Sequence, residues 1–482
     1  MCDNWVALRD STPAGQVIFA KNSDRPIFDC QPLVYQPRRS WGASGSIQLE
    51  YVQLPQVKET YAHLGARPYW CWGYELGLNE HGLAIGNEAI FTRSFRQAAS
   101  AWQSGAGPEP GLLGMDLIRL ALERCQNARQ AVFLIGELVK QYGQFGSALP
   151  SHDHAAGGYD NAFLIADPDE AWALEAVGHR WVAQRISTGY ASISNQPTIQ
   201  VHRDAGSPDL LDYAIAQGWW PDDQRTHFDF ARAYVDENTP RHLSYLRQRR
   251  TQQLLAEKAG QVTPAWMMRI ARDHYEDSFL GGPVFDAGDP DFLTVCMHAS
   301  PADFTWGNTA SSCVAVLPAN PHEIPVLWWT PGPPCNGCYV PFFPHGNRLP
   351  EAVSTAGLAG LSVTPPAEAA PDQYSPDSYW WRFRELLDRV KGAAVGSLPG
   401  CYPERNRRVR ARFDALEGEF ASSLPDVLRQ ATQARQAGES ADPAVLDAFT
   451  DGCVQAVEQA LQELIAEFPP VERANIDKKD NL

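Results

Sequence analysis

The second residue of this chain is a cysteine, and a β-prone run, Trp5–Leu8, follows almost at once. An initiator methionine is removed when the next residue is small, so the mature chain is expected to begin with Cys2. That residue then carries a thiol and a free α-amine together. The amine titrates near about 7.7–8.0 and the thiol near about 8.5, so both exchange protons close to neutrality. The amine can accept the thiol proton during attack on a carbonyl and return it to the leaving amine. One residue thereby supplies nucleophile and general base. Taken alone, a cysteine at a chain end reads as an ordinary frayed thiol; its surroundings decide between the two.

Those surroundings are strands. Trp5–Leu8 and Val17–Ala20 are separated by an eight-residue turn-rich stretch and predict a hairpin. Pairing brings Lys21-Asn22-Ser23-Asp24 back beside Cys2. Extended runs follow at Leu33–Pro37 and Ile47–Gln53, and Leu76–Ala89 reads as two strands about the turn Asn79-Glu80-His81-Gly82. Apolar residues at helical spacing predict helices over 112–125 and 129–142, and a three-strand meander begins at 161. Residues 209–275 are mostly helical by composition, and strands are expected at Thr294–Met297, Cys313–Leu317 and Ile324–Trp329. Residues 351–377 are rich in Ala, Pro, Ser and Gly, and 379–392, 404–420 and 443–468 read as helices. Strands and helices in separate blocks indicate an α+β fold.

The stretch CDNWVAL, the eight-residue turn, then VIFAKNSDRP resembles the start of the secernins and the peptidase C69 dipeptidases. The likeness continues through RPYWCWGYELGLNEHGLAIGNEA (67–89), LLGMDLIRLALERC (112–125), NAFLIADPDEAWALEA (161–176) and ISNQPTI (193–199). It extends to VCMHASP (295–301) and TASSCVAVLP (309–318). What the resemblance implies is a four-layer αββα sandwich of the N-terminal nucleophile (Ntn) hydrolases over 1–350, an Ala/Pro-rich connection at 351–377, and a C-terminal helical extension over 378–482. It also implies cysteine-dependent hydrolysis of small amides, with dipeptides the leading substrates. N-acyl amides of the bile-salt hydrolase and penicillin acylase type are the alternative, and a non-enzymatic secernin-like binding protein linked to exocytosis is a further one.

By the same similarity Cys2 is the nucleophile and Asp24 holds its amine. Lys21 stands where the related acylases carry an arginine, although an ammonium cannot reproduce a planar fork. Asn195 and Asn87 fall at oxyanion-donor positions, and neutral fixed amides suit that task because they leave the base unperturbed. A second arginine is expected from Arg247, Arg249 or Arg250, with no basis for choosing among them. A substrate carboxylate would meet Lys21, Arg25 or one of those three.

Other features exclude more than they assign. The chain has 40 Lys+Arg against 57 Asp+Glu, a net charge of −17, so nucleic-acid and anionic-membrane partners are not expected. No signal peptide or membrane span is legible at the start, and a cytoplasmic protein with reduced thiols is expected. Cys335-Asn-Gly-Cys338 has the spacing of half a zinc or redox site, but four ligands are needed and no second pair accompanies it. His152-Asp153-His154 reads as an exposed loop. No metal or cofactor is expected, the partner is a small peptide or amide, and a homo-oligomer is left open.

Overall fold

The computed structural model describes residues 1–42, 45–282, 284–290, 292–299, 307–393, 400–436 and 442–472. Two antiparallel sheets face one another between helical layers, an α+β four-layer αββα sandwich with helices added at the C-terminus. The first sheet has six strands in the order Tyr190–Ile193, Cys2–Ala7, Val17–Arg25, Asn308–Leu317, Val326–Pro331, Val340–Phe342. The second has eight: Ala205–Gly206, Arg180–Ile186, Ala171–Val177, Asp160–Ala166, Ala84–Ile90, Leu76–Asn79, His63–Ala66, Leu33–Gln36.

The predicted hairpin forms, with Cys2 opposite Ser23, Asn4 opposite Lys21 and Trp5 opposite Ala20. Tyr190–Ile193 closes the other side of the first strand, so the N-terminal strand is interior to the sheet and every residue in it is buried. Both faces of this sheet are covered, which is why its strands read as near-continuous apolar runs. Trp5, Phe19, Val314 and Leu327 belong to a core shared with Leu164 and Ala173 of the opposite sheet and with Leu254 and Ile270 of the helices His242–Glu257 and Pro264–Ala271. A second core joins Gly114–Arg124 and Ala128–Tyr142 to the outer face of the eight-stranded sheet through Leu117, Ala121, Val132, Ile135, Phe163 and Leu174.

The C-terminal helices Tyr379–Lys391, Cys401–Gln436 and Pro443–Glu467 extend the first core through Phe383, Phe413 and Val457. Tyr379 stacks on Trp329 of the six-stranded sheet. Among the described residues no helix is long and apolar enough to cross a membrane.

Two expected strands are corrected. Ile47–Gln53 is a small hairpin, Ser46–Gln48 with Gln53–Pro55, because Leu49 to Val52 close a turn. Thr294–Met297 is not a strand. Its polar groups are taken locally: Thr294 Oγ1 donates to the carbonyl of Cys296, Cys296 N donates to that of Asp273, and Met297 N donates to Thr309 Oγ1. The segment is therefore a loop stitched to its neighbours. In the motif VCMHASP, Ser300 and Pro301 lie outside the described residues.

Candidate active site

Strand alternation divides the motif residues between two faces. Cys2, Asn4 and Lys21 point into the gap between the sheets, whereas Asp3, Asn22 and Asp24 point toward the helical layer. Across the gap the sheets approach closely. Asn4 Nδ2 donates to Glu88 Oε1 at 2.9 Å, and a Cβ built on Gly86 would lie 2.2 Å from Asn4 Oδ1. Only glycine fits at 86, immediately before Asn87.

On the inner face, Lys21 is wholly buried. Its Nζ donates to Glu75 O at 2.6 Å, Asn87 Oδ1 at 3.0 Å and Glu75 Oε2 at 3.2 Å, and also to the carbonyl of Asn87. An ammonium only donates, so it fixes the Asn87 amide with Oδ1 toward Lys21 and Nδ2 away. Nδ2 then donates to Asn161 Oδ1 at 3.1 Å. Arg25 contacts the same Glu75 at 3.3 Å and pairs with Asp29 at 2.7 Å. Burial pushes the Glu75 carboxyl up, but Lys21 and Arg25 outweigh it and hold the group below its usual range.

On the helical face, Asp3 Oδ2 accepts from Arg247 Nη1 at 2.6 Å. Nη1 also donates to the carbonyl of Cys2 at 3.1 Å, and Nη2 to Asn195 Oδ1 at 2.7 Å. Asp24 Oδ1 accepts from Thr309 Oγ1 at 2.7 Å, but Oδ2 is buried without a hydrogen bond and lies 4.0 Å from Arg247. Burial pushes the Asp24 carboxyl up to about 7, against the pull of the terminal ammonium and Arg247. That ammonium, on Met1, donates to the Asp24 carbonyl at 3.1 Å.

The two halves meet at Cys2. Its backbone nitrogen donates to Asn195 Oδ1 at 2.9 Å, and Asn195 Nδ2 donates to the carbonyl of Ala89 at 2.8 Å. One Nδ2 hydrogen of Asn195 remains uncommitted. A small cavity opens against Cys2, Asp24, Arg25, Glu75, Asn87 and Tyr159. Burial pushes the Cys2 thiol up to about 11, with Lys21 and the terminal ammonium opposing. A thiolate is thus scarce at neutral pH, and attack requires a base that removes the proton as the bond forms.

The structure brings Cys2, Lys21, Asp24, Asn87 and Asn195 together and chooses among the three arginines. Arg249 is exposed and Arg250 pairs with Asp273 at 2.8 Å; Arg247 alone of the three reaches Cys2. Its helical neighbours carried a signal, since Leu243, Arg247, Arg250 and Leu254 fall on one stripe at i, i+4, i+7 and i+11. Asp3, Glu75 and Thr309 were missed. Asp3 stands next to Cys2, whereas Glu75 and Thr309 carry no spacing that ties them to it.

A model of peptidase family C69 matches residues 56–265, a span that holds Asn87, Asn195 and Arg247. A probable dipeptidase A of Streptococcus pyogenes serotype M1 is 24% identical over 392 residues, covering 73% of this chain and 76% of its own. Together these matches support a place for the chain in peptidase family C69 of the Ntn hydrolases. They likewise support hydrolysis of amide or peptide bonds as the chemistry. Solved structures aligned with this chain include a mutant conjugated bile acid hydrolase of Clostridium perfringens, at TM-score 0.35 and 13% identity over 68% of this chain and 88% of that one. A Caenorhabditis elegans N-acylethanolamine-hydrolyzing acid amidase aligns at TM-score 0.31 and 11% identity over 66% and 94%.

Proposed function

We propose that Cys2, freed of Met1, is the nucleophile with which this chain cleaves the amide bond of a small polar substrate, a short peptide foremost. The observation that carries the reading is the clamp on the Cys2 nitrogen. Asn195 Oδ1 holds it, Arg247 holds the adjoining carbonyl, and Asp24 keeps a buried oxygen without a partner beside the chain terminus. Loss of Met1 turns that nitrogen into an amine with hydrogens to spare, and Asp24 Oδ2 is an acceptor for one of them.

In this mechanism the Cys2 thiol adds to the substrate carbonyl carbon while the α-amine takes its proton. The tetrahedral oxyanion is met by the uncommitted Asn195 N–H and by the second Asn87 Nδ2 hydrogen, whose only other acceptor among the described residues is Met115 Sδ at 3.9 Å. Collapse expels the amine, which takes the proton back, and leaves a thioester. Water then attacks the thioester with the α-amine as base, releasing the acid. Lys21 and Arg247 are positioning residues: one sets the Asn87 amide, the other sets Asn195 and Cys2.

The dipeptidase name of the streptococcal relative supports a peptide over a long acyl chain. The test is a panel of dipeptides and N-acyl amides, run with intact-mass analysis. Turnover of dipeptides by a chain lacking Met1 is expected. A chain that retains Met1 and is fully active would sink the α-amine mechanism. Turnover of N-acyl amides alone would move the substrate class, and turnover of neither would favour a binding protein.

A further inference from the structure

Away from Cys2, four buried side chains converge on a single point. They are His274, at the end of the helical block; Cys296 and His298, in the stitched loop; and Cys335, beside the strand Val326–Pro331. Their ligand-type atoms all lie within 4.8 Å of one another. His298 Nε2 is 3.3 Å from His274 Nε2, 3.4 Å from Cys335 Sγ and 3.6 Å from Cys296 Sγ.

Hydrogen bonding alone does not account for this. A neutral imidazole nitrogen either donates one hydrogen or accepts with one lone pair, yet three heteroatoms crowd the one Nε2. Tetrahedral Zn2+, with bonds of about 2.05 Å to nitrogen and about 2.3 Å to sulfur, requires ligand edges of about 3.3 Å (N···N) and about 3.6 Å (N···S). The observed separations are those of such a tetrahedron.

The surroundings fit as well. His274 Nδ1 lies 3.1 Å from Glu276 Oε1, which fixes the tautomer that turns the Nε2 lone pair inward. Tyr402 donates its hydroxyl to Cys335 Sγ at 2.9 Å, a bond that favours the thiolate. Two thiolates balance the dication, so the group as a whole buries no net charge. An open cleft whose wall includes His274, Glu276, Cys335 and Tyr402 provides an entry path. Cys338, the other half of the sequence CxxC, takes no part: its thiol points toward the carbonyl of Phe413.

We propose that His274, Cys296, His298 and Cys335 bind one structural Zn2+. With four protein ligands the coordination is closed, so the ion staples rather than catalyses. It ties the 272–299 segment to the 333–338 turn and, through Tyr402, to the C-terminal helices. The stapled loop also hydrogen-bonds Thr309, whose hydroxyl bears on both Met297 N and the Asp24 carboxylate. The zinc thus steadies one wall of the catalytic site without touching it.

The test begins with the full chain purified without chelators. Elemental analysis should give one zinc per chain, and exchange with Co2+ should give the intense visible bands of a tetrahedral site with near-ultraviolet thiolate charge transfer. Cys335→Ser and His298→Ala should lose the metal, whereas Cys338→Ser should retain it in full. Should the ligand variants fail to fold, the cobalt spectrum of the unaltered chain still decides. Substoichiometric zinc with no tetrahedral cobalt spectrum would overturn the proposal, as would a Cys296–Cys335 disulfide in the metal-free protein or full metal retention by folded Cys335→Ser.

Discussion

The buried clusters around Cys2 and around Cys335 are organised in opposite ways. Around Cys2 the partners are charged groups and amides, spread over two faces of one strand, with a buried carboxylate oxygen unpartnered and a cavity against the thiol. Around Cys335 the partners are thiols and imidazoles that point at one another, with three heteroatoms on the one His298 Nε2. A reacting thiol needs space, a proton acceptor and donors aimed at a charge that exists only in passing. A ligating thiol needs its neighbours to converge and the shell to close. Both arrangements bury cysteine among polar atoms. Whether the polar atoms surround a space or meet at a point separates chemistry from stapling.

The sharpest way to break that contrast is Cys2→Ala. Turnover should fall by about 10^3-fold or more while metal content and melting temperature hold. A variant that loses its zinc but keeps its turnover would reverse the roles assigned to the two thiols. Next in size is Glu75→Gln, which leaves Lys21 and Arg25 sharing a buried site with one fewer counter-charge. Breaking such a network costs about 3–5 kcal/mol, read as a lower urea midpoint with the denaturant slope unchanged. Asn195→Leu should then lower kcat by about 10^2–10^3-fold with little change in KM, the signature of a donor felt in the transition state. Equal losses in binding and turnover would make Asn195 a scaffold for the strand instead.

The smallest effect is in pH. Asp24 is pushed up to about 7 by burial, so the native protein keeps its proton after the unfolded chain, near about 4, has released it. The native state binds more protons across that window, and stability from this group falls as pH rises from about 4 through about 7, then levels. Melting curves of Asp24→Asn should lack that part of the slope, and a slope unchanged from the parent would place the titration elsewhere.

Much of the catalytic cluster was legible because it is nearly local. A hairpin of known length sets Lys21 and Asp24 beside Cys2, and alternation sends those two side chains to opposite faces. Asn87 and Asn195 were found by motif, on a strand of the facing sheet and just beyond a strand paired with Cys2. Arg247 could not be separated from Arg249 and Arg250 until the helix docked, since docking alone decides which side of a cationic helix is buried. The expected strand at Thr294–Met297 failed for a related reason: its short apolar run is that of a buried β-strand, but its hydrogen bonds go to Asp273 and Thr309.

The sequence by itself determined the α+β class and the hairpin that presents Cys2, because both rest on periodicity and turn chemistry acting over a few residues; the αββα layering came only as what the family resemblance implies. Only the tertiary structure decided the choice of Arg247, the Lys21–Glu75–Arg25 network and the convergence of His274, Cys296, His298 and Cys335. Each joins segments dozens to hundreds of positions apart, and no local rule couples such segments. The CxxC spacing of Cys335 and Cys338 was set aside for want of a second pair; the fold turns the two thiols apart and places His298 beside Cys335 instead, because ligands are chosen by direction in space and not by distance along the chain.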